Sequence, residues 1–489
     1  MSRLRSIELT NFKNVGHGKI EFPSASGAIE GADVVGIYGQ NGSGKTAVIE
    51  ALDVFQKIFK GKSLSSLSPE CIRYGCDEAV LNLEIASTDE SASCEMPTAI
   101  LWYCVTIGCE DTPFVKREKL SYTDLRAEKP RKTLLLDHQI SNGSSSMEFS
   151  SSPKSTWASL LPVSSGFATD YAVAERMAHK EASSFIFSHD FLGILLKISK
   201  LFREEGASSA VLSERIERVM MSLLVASNSF REFALGLSVL STMNNAIVSM
   251  NSIALSGCGD PLSSNRAKTV WLDIEQPTVL GKEELSNADA TVNAINAVLN
   301  SIIPGLTLDI KRLGDELCDE GDLGTRIEVV SRRGSCVLPF RCESEGVKKI
   351  VSILGLLINV YNNENCCVAI DELDSGIFEF LLGEILAVLS EHGKGQLIFT
   401  AHNLRPLETL PPRSLVFTTT NPDRRYIEFV GLKKTNNLRD QYLRAVNLGG
   451  QSETVYEPTS KYEIDAAFFE AGCLESERCG EEGESHGER

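Results

Sequence analysis

The chain has 489 residues, 42% of them hydrophobic, and a formal net charge of −18. That is enough apolar material for one large domain or two ordinary ones, and the acidic balance argues against a broadly basic nucleic-acid-binding surface. The longest apolar run, residues 350–360, is too short to span a bilayer and the opening MSRLRSIELTNF has no signal-peptide core, so a cytoplasmic protein is expected.

Residues 4–22 alternate as two strands around a turn at 11–18. A short buried strand, ADVVGIY, is predicted at 32–38, then a glycine-rich loop at 39–44 and an amphipathic helix at 45–59. The β pattern returns from 79 to 117, whereas 137–155, rich in Ser, Asn and Gly, reads as a flexible loop. Residues 172–253 have helical spacing without sustained heptads, which predicts an insertion of several short helices within 161–265 rather than a coiled-coil arm. Strand signals follow at 269–274, 306–312 and 326–340. Then come a helix at 344–361, a strand at 366–370, a helix at 376–391, a strand at 396–400 and a last helix at 437–446. Beyond 451 the chain carries eleven acidic against three basic residues, and a disordered acidic tail is expected over 451–489. The thirteen cysteines form no CxxC pair, so reduced thiols are expected rather than a zinc site. The order implies an α/β fold whose halves, 1–160 and 266–450, lie far apart in sequence and together in space.

Three segments carry chemistry. Residues 39–46, GQNGSGKT, fit G-x-x-x-x-G-K-[ST] between an apolar strand and an amphipathic helix. Gly39, Gln40, Asn41, Gly42, Ser43 and Gly44 would curl their amides around phosphates, Lys45 would reach the β- and γ-phosphates, and the Thr46 hydroxyl would hold Mg2+. The second segment, VAIDE, ends a strand in two carboxylates. Asp371 suits Mg2+ and Glu372 suits activation of a water molecule. The third, QLIFTAHN, places His402 directly after a strand, where an imidazole can contact the γ-phosphate or orient water.

LRSIELTNFKNV, GQNGSGKT, IDELDSG and FTAHN, in this order, resemble the RecF/SMC-type branch of the ATP-binding cassette ATPases. DELDS, preceded by RCESEGVKKIVSILGLL and followed by KTNNLRDQYLRAVNLGG, is more narrowly similar to bacterial AAA-family ATPases of abortive infection and phage defence. The resemblance implies an ABC-type P-loop domain, with a β-rich N-terminal lobe, an α/β lobe and a helical insertion, that hydrolyses ATP with Mg2+. It implies that SEGVKK is a signature loop, presenting Ser344 and the Gly346 amide to nucleotide held by a second protomer, although Glu345 and Val347 depart from LSGGQ. It further implies a D-loop role for Asp374, a phosphate contact for Lys13 and a Q-loop position for Gln139. A homodimer or higher homo-oligomer follows. No glutamate-plus-DxD nuclease constellation follows His402, which leaves a separately encoded effector, a nuclease, under a phage-encoded trigger. The alternative is a RecF-like DNA-repair ATPase that binds duplex DNA through a local basic groove; no membrane partner is expected.

Overall fold

Ser2–Phe12 (β1) and Val15–Glu21 (β2) pair as the expected hairpin, with Phe12 opposite Val15 at its turn. The computed structural model describes residues 1–23, 32–88, 97–142, 147–160, 166–204, 214–241, 252–255, 270–317, 323–429 and 437–484. After the hairpin come Asp33–Tyr38 (β3), Lys45–Phe59 (α1), Glu78–Ser87 (β4), Ala99–Cys109 (β5), Pro113–Asp124 (β6), Thr133–Asn142 (β7) and Met147–Ser152 (β8). All of these strands except β3 form one antiparallel sheet in the order β2-β1-β4-β5-β6-β7-β8. The segment expected to be a loop at 137–155 is therefore largely the β7–β8 edge of that sheet. β8 is the edge strand of the sheet, where polar residues blunt the open hydrogen-bonding edge, so its Ser-rich composition hid it.

The middle of the chain supplies Lys154–Leu160 (α2), Phe167–Lys180 (α3), His189–Glu204 (α4) and Glu214–Gly236 (α5). The helical stretch stops short of 265, because Leu237–Leu240 (β9) joins a central sheet and Ser252–Leu255 (β10) pairs with Val270–Asp273 (β11). The rest of the expected insertion, at 161–165, 205–213, 242–251 and 256–265, lies outside the described residues. Thr278–Leu280 (β12), Lys282–Ile302 (α6), Leu306–Leu317 (β13), Leu323–Arg333 (β14) and Cys336–Pro339 (β15) form a small antiparallel sheet with a helix across it. Glu345–Asn362 (α7), Cys367–Ile370 (β16), Glu379–His392 (α8), Gln396–Thr400 (β17), Pro406–Thr409 (α9), Leu415–Thr418 (β18) and Tyr426–Ile427 (β19) follow. Leu438–Leu448 (α10) and Lys461–Glu484 (α11) complete the described chain.

The central sheet has the order β19-β18-β3-β17-β16-β9, parallel except for β19. Strands covered on both faces read as continuous apolar runs, as in VVGIY, CVAI and QLIFT. Val35, Ile37, Ala369 and Ile398 face α1, while Val34, Val368, Leu397 and Phe399 face α7 and α8. The result is the expected α/β architecture, a β-rich lobe from the N-terminal half beside an α/β lobe drawn from both ends.

A buried polar node joins the lobes. The Gln396 side chain accepts from Leu4 N at 2.7 Å and donates to Leu4 O and Asp33 Oδ2 at 2.9 Å each, while Arg3 pairs with Asp33 at 3.3 Å. The tail departs from expectation too. Val455 is buried, Thr420 N donates to Thr454 O at 2.8 Å, and Lys461–Glu484 is helical. The tail's acidic bias masked a proline-free stretch rich in Glu and Ala, both good helix formers. Arg3→Met would remove the cation paired with the buried Asp33 carboxylate and is expected to cost about 3–5 kcal/mol of stability. A urea unfolding midpoint equal to the wild type's would show the node to be dispensable.

Candidate functional site

Residues 39–44 turn from the buried end of β3 into the N-terminus of α1. Gly39 lies at φ +156°, where an added Cβ would strike the Thr418 hydroxyl, and Gly44 caps α1 in the left-handed region at φ +89°. Only glycine meets both demands cheaply. Ser43 Oγ donates to Gln40 O at 2.6 Å and lies 2.5 Å from Thr418 Oγ1, which ties the loop to β18. Lys45 folds back over the loop, its Nζ donating to Gly39 O and Gln40 O at 2.9 Å each. Burial pushes the Lys45 pKa down, and the charges of Asp371, Glu372 and Asp374 pull against it. A buried cation above the amides of a helix start suits an anion.

Asp371 and Glu372 follow the last residue of β16. Asp371 is buried, and its Oδ1 accepts from Thr400 Oγ1 at 2.5 Å and from Thr46 Oγ1 at 3.3 Å. Glu372 N donates to that same Thr400 hydroxyl at 2.8 Å. One hydroxyl on β17 thus fixes both acids of β16. Glu372 sits at φ +50°, a left-handed backbone that costs a non-glycine residue on the order of 1 kcal/mol or more and turns its exposed side chain to the cleft. The Thr46 and Asp371 oxygens are a hard donor set suited to Mg2+, which keeps water and phosphate as its other ligands.

His402 is exposed and lines the same cleft of about 1560 Å³ as Lys45, Thr46, Asp371 and Glu372. Its backbone N and that of Asn403 donate to Asp374 Oδ2 at 2.8 and 2.7 Å, so Asp374 caps the turn that presents the imidazole. Lys13 reaches the cleft rim paired with Glu50. Gln139 does not reach it and stands on β7 between Arg117 and Ser150. Ser344 and Gly346 do not line it either. Ser344 is the exposed N-cap of α7, accepting from Val347 N at 3.4 Å, and Gly346 packs so closely that a Cβ would come 2.5 Å from Gly376 O.

Several residues at the site carried no sequence signal. Thr400 and Thr418 are ordinary strand threonines by composition. Lys349 is buried close enough to Glu372, Asp374 and Asp371 to feel their charge, while burial pushes its pKa down. Asn14 donates to Gly42 O, and Tyr426 OH donates to Gly44 O at 2.8 Å across 382 positions of chain. Only the fold brings them together.

Residues 6–74 match the family model described as AAA domain. No curated protein matches the chain. Among solved structures the chain is similar to an Smc head domain with an extended coiled coil bound to the C-terminal domain of ScpA, from Pyrococcus furiosus. The identity is 14% over 87% of this chain and 96% of that one, with a TM-score of 0.39. An Smc head domain with a coiled coil and joint from Pyrococcus yayanosii gives 11% identity, 91% and 99% coverage, and a TM-score of 0.38. The recombination mediator protein RecF with ATP, of the RecFOR pathway, gives 12%, 82% and 94%, and 0.31. Among the described residues no helix is long and apolar enough to cross a membrane.

The shared hydroxyl makes Thr400→Val informative. The substitution keeps the strand's shape but leaves Glu372 N and Asp371 Oδ1 short of a partner, with an expected loss of about 1–3 kcal/mol in urea unfolding. Full wild-type stability would mean that Thr400 does not hold the acids.

Proposed function

We propose that the protein binds and hydrolyses ATP with Mg2+, acting as a head-to-tail homodimer or a higher assembly of such pairs. One observation carries the reading: Lys45, Thr46, Asp371, Glu372 and His402 line a single cleft at the start of α1. The loop amides and Lys45 bind the phosphates. Thr46 and Asp371 would hold Mg2+, which when bound offsets phosphate charge. Glu372 accepts a proton from a water molecule as its oxygen bonds to the γ-phosphorus and the bond to the ADP oxygen breaks, while His402 orients the water or the γ-phosphate. The AAA-domain match over residues 6–74 supports this reading.

The position of the expected signature residues supports the dimer. Ser344 and Gly346 stand outside the cleft, with Gly346 packed against Gly376. An exposed, serine-capped helix start suits nucleotide presented by a second copy. Ser344→Arg and Lys45→Ala chains are each expected to be inactive, and their mixture to regain part of the turnover, because one composite site then has both intact halves. Normal turnover by Ser344→Arg alone would refute the shared site.

By its motif resemblance, the protein is the sensor or scaffold ATPase of an anti-phage system that controls a separate nuclease effector. Cells carrying the protein and a neighbouring nuclease gene are expected to survive phage challenge. Glu372→Gln, which keeps ATP binding while slowing turnover about 10²–10⁴-fold, should abolish that survival. No protection by the pair would overturn the defence role, unchanged survival with Glu372→Gln would overturn its dependence on ATP turnover, and protection without any nuclease partner would overturn the separate effector. ATP-dependent, salt-sensitive binding of duplex DNA would favour the RecF-like alternative.

A further inference from the structure

Arg425 precedes β19 and is only 6% exposed, yet it lines the cleft that holds Lys45. Its Nη1 donates to Thr419 O and its Nη2 to Asn14 O, both at 2.7 Å, and its Nε has no hydrogen-bond partner. No carboxylate forms an ion pair with it among the described residues. Three other cations nearby are matched, Lys13 with Glu50, Arg73 with Asp423 and Arg424 with Glu453, while Lys45 in the same cleft donates to loop carbonyls. Asp423, the acid nearest in sequence, is thus engaged by Arg73. Burying a guanidinium against carbonyl oxygens alone is costly, and burial pushes its pKa down.

The group touches the phosphate loop by two routes. A Cβ on Gly44 would lie 3.3 Å from Arg425 Cγ, so the arginine stem packs against the start of α1. Asn14, whose carbonyl Arg425 holds, donates through its side chain to Gly42 O at the crown of the loop. Tyr426 clamps the same loop without charge, through its hydroxyl on Gly44 O.

We propose that Arg425 is a charge-bearing positioning residue for the polyphosphate, whose negative charge completes a cation that the protein leaves unmatched. It holds Asn14 and the loop crown in place, and its field favours ligands in proportion to their phosphate charge. The inference rests on the nucleotide-binding reading above. The guanidinium is itself buried, and a charge so shielded still acts several ångströms away, so the effect grows from ADP to ATP.

Calorimetric titration of the full chain with ATP and with ADP tests this. Arg425→Gln is expected to weaken ATP by about tenfold to a hundredfold, and ADP distinctly less. Arg425→Lys, which keeps the charge, should retain most of the preference for ATP. Tyr426→Phe, which removes a clamp but no charge, should weaken both nucleotides alike. Equal losses for ATP and ADP in Arg425→Gln, no loss for either, or an Arg425→Lys as impaired as Arg425→Gln would each overturn the proposal. Should Arg425→Gln not fold, Arg425→Lys with its ATP preference abolished overturns it, and with the preference kept supports it. Wild-type chain that binds no ATP through Lys45 sinks the nucleotide reading itself, whereas Lys45-dependent binding indifferent to Arg425 sinks only this inference.

Discussion

Strand β3 has both hydrogen-bonding edges taken by strands from the far end of the chain, β17 on one side and β18 on the other. The rest of the site depends on that pairing. β17 supplies Thr400, which orders the two acids after β16, and β18 supplies Thr418, which abuts Gly39 and Ser43. Neither half of the sequence could hold the loop in shape alone. The Gln396 side chain extends the same suture outward, since it bonds both Leu4 of the antiparallel sheet and Asp33 at the start of β3.

Charge at the site is balanced over short distances. Asp371, Glu372 and Asp374 crowd one turn, and two buried lysines, Lys45 and Lys349, lie close enough to feel them. Burial alone favours neutral amines, and the acids resist it. The lysines come from opposite faces of the central sheet, Lys45 at the start of α1 and Lys349 near the start of α7. A shift of either helix would alter the field on the same carboxylates. The left-handed backbone of Glu372 adds a second cost that Thr400 helps to hold. Such a site spends stability on preorganisation, so its groups need little rearrangement when charge develops.

The sequence made legible what is local. GQNGSGKT announces itself because a phosphate loop needs its glycines, lysine and threonine within eight consecutive residues, and VAIDE because the apolar strand and its two acids are contiguous. Element types followed wherever the pattern was clean, as in the helical period of α1 and the unbroken apolar run of β17. Contacts between distant segments stayed hidden. Arg425 and Tyr426 sit in NPDRRYIEF, which carries no motif, although they grip a loop some 380 positions earlier. Leu237–Leu240 was absorbed into the helical pattern before it, since four residues are too few to show a change of period. Gln139, which the resemblance implies for a Q-loop, stands on β7 away from the cleft, because residue type alone carries no geometry.

The interleaved sheet also has a history in time. β3 leaves the ribosome long before its neighbours, for Gln396 follows its pairing partner Asp33 by 363 positions. At ordinary translation rates of about 5–20 residues per second, the phosphate-loop strand waits roughly 20–70 s for either edge to be covered. The β1–β2 hairpin and β4–β8 can assemble during that interval, since every neighbour they need lies within the first 152 residues. What remains exposed meanwhile is an apolar strand with two open edges, the kind of surface that chaperones shield and that aggregation exploits. Nascent chains halted before residue 396 should therefore be the most chaperone-dependent form of this protein, and completion of β17 and β18 the moment at which that dependence ends.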